Sequence, residues 1–223
     1  NLKRFKIPSG EITNYMYLKK IASFKKEVIL STGMSTLSEI KNAMNILIKN
    51  ELKNNKIKLL HCSSDYPAKE SLINLRAIDT MKKKFKVDIG YSDHTKSTVV
   101  PALAVMRGAK IIEKHLTLNN NSIGPDHKSS LNPVDFSKMV DSIKLAELSL
   151  GDGQKKPNKD EKKNIKIVRK SIVAKKNIMK GQLFTLKNIT FKRPGYGLSP
   201  MRINKVLGRK AKRNFKQDQF IKI

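Results

Sequence analysis

Short apolar runs alternate with stretches of helical period over the first 150 residues. The runs fall at 5–8, 28–31, 57–61, 87–91 and 110–115. Several are apolar throughout and end on a polar residue, as parallel strands do when both faces are covered. Between them, Leu37, Ile40, Met44, Leu47 and Ile48 share one helical face, and Thr36 with Glu39 has capping-box spacing. After the fifth run, Asn132 fits an N-cap and Pro133 the first helical position. Phe136, Met139, Val140, Ile143 and Leu150 carry that helix onward. Strand–helix alternation of this kind predicts an α/β chain of repeated βα units.

Polar residues gather where each run ends: Ser9-Gly10-Glu11, Ser31-Thr32-Gly33, His61-Cys62-Ser63-Ser64, Ser92-Asp93-His94 and His115. Parallel α/β folds build their sites at the carboxyl ends of strands, and core packing does not explain five such clusters. A dinucleotide-binding fold competes, but neither its G-x-G-x-x-G nor a phosphate-loop G-x-x-x-x-G-K-[ST] occurs. Residues 151–164 (GDGQKKPNKDEKKN) are polar and rich in Gly and Pro, and read as a linker. Beyond them, 165–223 alternates short apolar runs with glycine turns. Strands are expected at 171–174, 189–191 and 220–223, in a β-rich domain small enough that its own core is marginal. The expected organisation is 1–150, a linker at 151–164, and 165–223.

Composition adds a net charge of +29 from 47 Lys and Arg against 18 Asp and Glu. Such a charge invites a nucleic-acid partner. The cations are 39 Lys and only 8 Arg, spread along the chain, with 6% aromatic residues and no Trp. Base reading uses Arg forks, and single strands are held on interleaved aromatics. No specific nucleic-acid partner is therefore expected, only salt-sensitive attraction to polyanions. The expected cause of the excess is an AT-rich genome, which favours Lys and Asn codons. One cysteine, Cys62, excludes an internal disulfide, and no apolar run is long enough to span a membrane. The chain opens at Asn1 without a signal-peptide pattern, and is read as beginning inside a longer frame in a reducing, cytoplasmic setting.

Seven segments in order resemble the sialic acid synthase family, the N-acetylneuraminate and legionaminate synthases. They are Lys6-Ile-Pro-Ser-Gly-Glu11, Leu30-Ser-Thr-Gly-Met34, Leu60-His-Cys-Ser-Ser-Asp-Tyr-Pro67, Gly90-Tyr-Ser-Asp-His-Thr95, Ile112-Glu-Lys-His-Leu-Thr117, Gly124-Pro-Asp-His127 and Lys192-Arg-Pro-Gly195. The resemblance implies a TIM (β/α) barrel followed by a small antifreeze-like (SAF) domain. Only the last five of eight βα units have counterparts here. The first three are absent, with a glutamate and a lysine that the family uses, so this chain by itself is expected to be inactive, either a truncated fragment or one half of a split enzyme.

The family condenses phosphoenolpyruvate with an N-acetylmannosamine-type sugar, giving a nonulosonic acid and phosphate through C–C bond formation and C–O cleavage. His94 and His115 end consecutive runs. Neighbouring parallel strands lie about 4.8 Å apart, so two imidazoles there can converge on one divalent ion. The alternative is a hydrogen-bonded histidine pair without metal. The resemblance assigns the pair to a metal, Mn²⁺ first, with Mg²⁺ or Co²⁺ as alternatives. It assigns Lys6, Ser9, Ser31, Ser64 and Ser92 to phosphoenolpyruvate, and Tyr66 and Asp126 to the sugar. Glu11, five residues past Lys6, is expected ionised beside that lysine and the metal, orienting the sugar or taking a proton from water. Lys6, Glu11 and Asp126 are thus the catalytic candidates. Asp93 and Glu113 adjoin the histidines and could orient them, or be structural. His61 reads as a strand-end core residue and His127 as a loop residue. Arg193 is a surface turn residue on sequence alone. The resemblance sends it into the partner subunit's site, against the substrate N-acetyl group, in a domain-swapped homodimer.

Overall fold

A computed structural model describes residues 2–223, which fold as two compact units, the first running to Gly153 and the second spanning Gln154–Ile223. In the first, strands β1 (Arg4–Ile7), β2 (Glu27–Ser31), β3 (Ile57–Cys62), β4 (Ile89–Asp93) and β5 (Ile112–Lys114) pair in sequence order, all parallel. Helices α1 (Tyr15–Ser23), α2 (Leu37–Lys49), α3 (Ala77–Phe85) and α4 (Val100–Met106) connect them, and α5 (Pro133–Leu150) follows β5. The sheet is curled. Lys6 of one edge strand reaches Glu113 of the other, with Nζ and Oε2 3.1 Å apart. This is a segment of a TIM barrel, five strands of the expected eight.

Local chemistry sets the helix starts. Thr36 accepts from the Glu39 N–H while Glu39 accepts from the Thr36 N–H at 2.7 Å, closing the expected capping box. Asn132 Oδ1 takes the Asp135 N–H at 2.9 Å ahead of Pro133. The core lies on the convex side of the sheet, where Ile7, Leu30, Leu59, Ile89 and Tyr91 pack under Leu18, Ile40, Leu47, Ile78 and Ala104 of the helices. Ile48, placed on the α2 apolar face by period, is exposed. Ala43 is buried in that face instead. On α5 only Met139 is fully buried, and Leu145 and Leu148 face solvent.

The concave side is fixed by register. Lys6 pairs with Ile29, Ser31 with Leu60, Cys62 with Ser92, and Ser92 with Glu113. Gly90 sits among them of necessity, since a Cβ there would stand 2.5 Å from the Ile111 carbonyl oxygen and 2.5 Å from Leu60 Cδ2.

In the second unit, α6 (Lys159–Val168) begins within the segment read as a linker, closed by a second capping box from Asn158 and Glu161. Strands β6 (Ser171–Ala174) and β7 (Ile189–Lys192) pair antiparallel. Residues 220–223, expected as a strand, make only a single bridge, Phe220 to Val173. The Ile221 N–H also reaches the Ile172 carbonyl. Ile172, Ile178, Phe184, Val206 and Phe215 form the core, with Phe184 and Phe215 edge-on at 5.7 Å.

Candidate active site

The concave face and the loops beyond it bring most of the expected residues together. Glu113 stands at the centre, accepting from Ser92 Oγ at 2.7 Å through Oε1 and from Lys6 Nζ through Oε2. Ser92 Oγ also lies 3.4 Å from His94 Nε2. The rings of His94 and His115, each one residue past its strand, have centroids 5.3 Å apart at 79°. Tyr66 lies against both, at 4.1 Å from His94 and 5.6 Å from His115. Asp126 Oδ2 faces His115 Nδ1 at 3.8 Å. Its side chain caps nothing, so it is not spent on the turn.

A second cluster surrounds Gly33. A Cβ at that position would stand 2.3 Å from Ser64 Oγ, 3.1 Å from Cys62 Sγ and 3.2 Å from Ser9 Oγ. The missing side chain is what lets these groups converge. The hydroxyls of Ser31 and Ser64 are buried without a hydrogen-bond partner among the described residues. Buried donors left unpaired are rare and point to a ligand or water. Two orphan hydroxyls with Lys6 and the Gly33 backbone suit an anion.

Electrostatics follow burial. Burial pushes the His94 pKa below the ordinary value, and the neighbouring His115 adds to this, while the Ser63 carbonyl at Nδ1 pulls the other way. That carbonyl bond requires the proton on Nδ1 and leaves the Nε2 lone pair free, which is the ligand form of imidazole. Burial raises the Cys62 thiol against the pull of the Thr32 and Gly33 N–H groups. It also raises the Tyr66 phenol. Among the described residues no group of three or more His, Cys, Asp or Glu is arranged around a metal position. The donor set the chain offers is two imidazoles, one with a fixed tautomer. That set fits a divalent ion whose other positions go to water and substrate.

The expectations for Glu11 and Asp93 change, while those for His61 and His127 hold. Glu11 does not join Lys6: its carboxylate accepts from Asn14 Nδ2 at 2.6 Å at the foot of α1, and Lys6 pairs with Glu113 instead. Asp93 makes no hydrogen bond to a histidine ring. It lies on the convex side, 2.6 Å from Lys114 Nζ. His61 is also convex, with Nε2 2.7 Å from the Ile73 carbonyl and its ring tilted on Tyr91. His127 bonds Thr117 Oγ1 through Nδ1 at 2.7 Å and holds its loop. Glu113 was legible as a site residue, since it precedes His115 by two and so shares its face. The Ser63 carbonyl carried no sequence signal. In the second unit Arg193 is exposed, and its Nε donates to the Val168 carbonyl at 2.8 Å.

A curled parallel sheet with its polar cluster at the strand carboxyl ends is the architecture of a βα barrel. Residues 1–155 match the NeuB family and residues 169–223 the SAF domain. The chain belongs to the NeuB family, the sialic acid synthases with a C-terminal SAF domain. It is 52% identical over 221 residues to the N,N'-diacetyllegionaminic acid synthase of Campylobacter jejuni, covering 99% of this chain and 66% of that one. The Legionella pneumophila protein of the same name is 41% identical, covering 96% and 60%. The N-acetylneuraminic acid (sialic acid) synthetase of Leptospira borgpetersenii superposes with a TM-score of 0.67 at 39% identity, covering 74% of this chain and 57% of that one. The chain thus spans about two thirds, or somewhat less, of these curated relatives.

Proposed function

We propose that this chain carries the metal- and anion-binding end of a nonulosonic acid synthase, which joins phosphoenolpyruvate to an N-acylated mannose-type sugar. The observation that carries this is the concave cluster itself: Lys6, Ser92 and Glu113 bonded across the sheet, two imidazoles beside them, and two orphan hydroxyls alongside. His94 and His115 would hold a divalent ion, Mn²⁺ first, and that ion supplies Lewis acidity for a sugar aldehyde. Lys6 gives the mobile positive charge for the phosphate, Ser9 and Ser64 give hydroxyl donors around Gly33, and Ser31 adds an unpaired hydroxyl at the end of β2. Glu113 keeps Lys6 and Ser92 in place until the anion arrives. Asp126 and Tyr66, at the rim, take the sugar hydroxyls. Glu11 handles a proton with its carboxylate held by Asn14. Arg193 acts on the N-acyl group from a partner subunit's SAF domain, in a homodimer. Relatives named for a diacetylated product favour a di-N-acetylated sugar over N-acetylmannosamine.

The alternative is an inactive fragment or one half of a split synthase, favoured by five strands where a barrel closes with eight. One experiment separates these. Phosphate release from phosphoenolpyruvate is followed with each sugar and Mn²⁺, for the chain alone and mixed with the first third of the Campylobacter relative. No turnover alone and turnover on mixing is expected, lost in His94→Ala. Turnover by the chain alone removes the fragment reading. Full activity and normal metal content in His94→Ala remove the site assignment.

A further inference from the structure

The pocket-side contacts of the two histidines are not their only supports. Behind them, on the convex side, lies a charged network that the proposed chemistry does not use. Asp93 and Lys114 are register partners on β4 and β5, and each immediately precedes one of the histidines. Their side chains meet at 2.6 Å and are 0% and 1% exposed. Strand alternation turns them away from Ser92 and Glu113, which form the cross-strand pair of the preceding rung on the pocket side.

The network is complete. Asp93 Oδ1 accepts from Tyr91 Oη at 3.2 Å and from the Thr95 N–H at 3.0 Å. Its Oδ2 accepts from Thr95 Oγ1 at 3.1 Å and from Lys114 Nζ. Lys114 Nζ also donates to the Thr95 carbonyl. His94 is therefore bracketed in the chain by two members, Asp93 and Thr95, while its ring is steered by the Ser63 carbonyl. His115 is bracketed by Lys114 on one side, and its own carbonyl takes the Leu131 N–H at 3.0 Å.

Burying two ions is costly and rarely the best way to gain stability. What a buried pair does supply is register: a slip or splay of β4 against β5 would leave an unpaired charge in the core. Apolar residues of the same size would tolerate that slip.

We propose that Asp93 and Lys114 are positioning residues, a buried tie that sets the separation and ring orientation of His94 and His115. The metal consequence rests on the assignment of those histidines as ligands. The ring geometry does not, so the two can fail separately.

The test uses the 223-residue chain and the double variant Asp93→Asn/Lys114→Met, which removes both charges at nearly constant volume. Imidazole nitrogen NMR reads the tautomer and order of both rings without metal, and titration with Mn²⁺ reads affinity. In a double variant with parental circular dichroism, the expected result is loss of the single His94 tautomer and binding weakened by about 10–100-fold. Parental imidazole spectra, or Mn²⁺ affinity within about twofold of the parent, would overturn the tie. If the parent binds no Mn²⁺, the metal assignment falls and the ring spectra alone decide. If the double variant does not fold, Thr95→Val, which removes one hydroxyl and no charge, is read the same way. A mixed tautomer there supports the tie and a parental spectrum overturns it.

Discussion

The two units handle charge in opposite ways. The first carries 25 Lys and Arg against 15 Asp and Glu over 153 residues, a net +10, and holds all four histidines. The second carries 22 against three over 70 residues, a net +19, and holds none. In the first, charges are committed to structure: Lys6 to Glu113 across the sheet, Lys114 to Asp93 in the core. In the second, Lys192–Asp218 and Lys163–Asp160 engage two of the three carboxylates, and Glu161 serves the α6 cap. Other cations there turn to neutral partners, as Arg193 does to the Val168 carbonyl and Arg213 to the Phe215 ring. The lesson is that a single net charge hides two regimes, one governed by protons and one by salt.

The largest expected effect lies in the second unit, whose core is small. Phe215→Ala removes one of two edge-on rings and should cost about 3–5 kcal/mol. Loss of amide-exchange protection around 172–221 reads it. If protection there is unchanged, the SAF core is not what holds that unit. Smaller is the response to acid, expected only in the first unit. Burial holds the His61 pKa below 6.5 in the folded state, so the unfolded chain binds the extra proton first as pH falls. Stability is whole above about pH 6.5 and is lost as pH drops toward the folded value. Melting at pH 7.5 and 5 should show this, and His61→Gln should reduce it, leaving the share of His94, which burial shifts the same way. Acid loss of amide protection in the second unit would break the contrast. Smallest is salt: raising ionic strength from about 0.05 to 0.5 M should stabilise the second unit by about 1 kcal/mol or less, by screening like charges. An equal gain in the first unit would erase the distinction.

Local signals were the ones that sequence expressed. The α2 box and the Asn132-Pro133 start depend on residues within one turn, and both are present as expected. The β6 strand, bounded by its own apolar run, also falls where expected. The same kind of signal, Asn158 with Glu161, marked α6 inside a segment that composition alone called a linker. Long-range facts were illegible. Lys6 takes Glu113 rather than Glu11 because the sheet curls its far edges together, and curl is a sum over five strands. The turning of Asp93 away from the pocket was available from strict alternation with Ser92, but proximity in sequence to His94 outweighed it. The bridge at Phe220 shows the converse, an apolar run that stops before a ladder forms.

The orphan hydroxyls of Ser31 and Ser64 have a practical consequence. Each carries a desolvation penalty of about 1–3 kcal/mol that an acceptor oxygen can cancel. An oxyanion that reaches them binds the native chain and not the unfolded one, so it raises the melting temperature by mass action. Preparations in phosphate and in Tris would then differ in measured heat tolerance although the polypeptide is identical, and thermal-shift screens of this chain double as an inventory of which small acids it accepts.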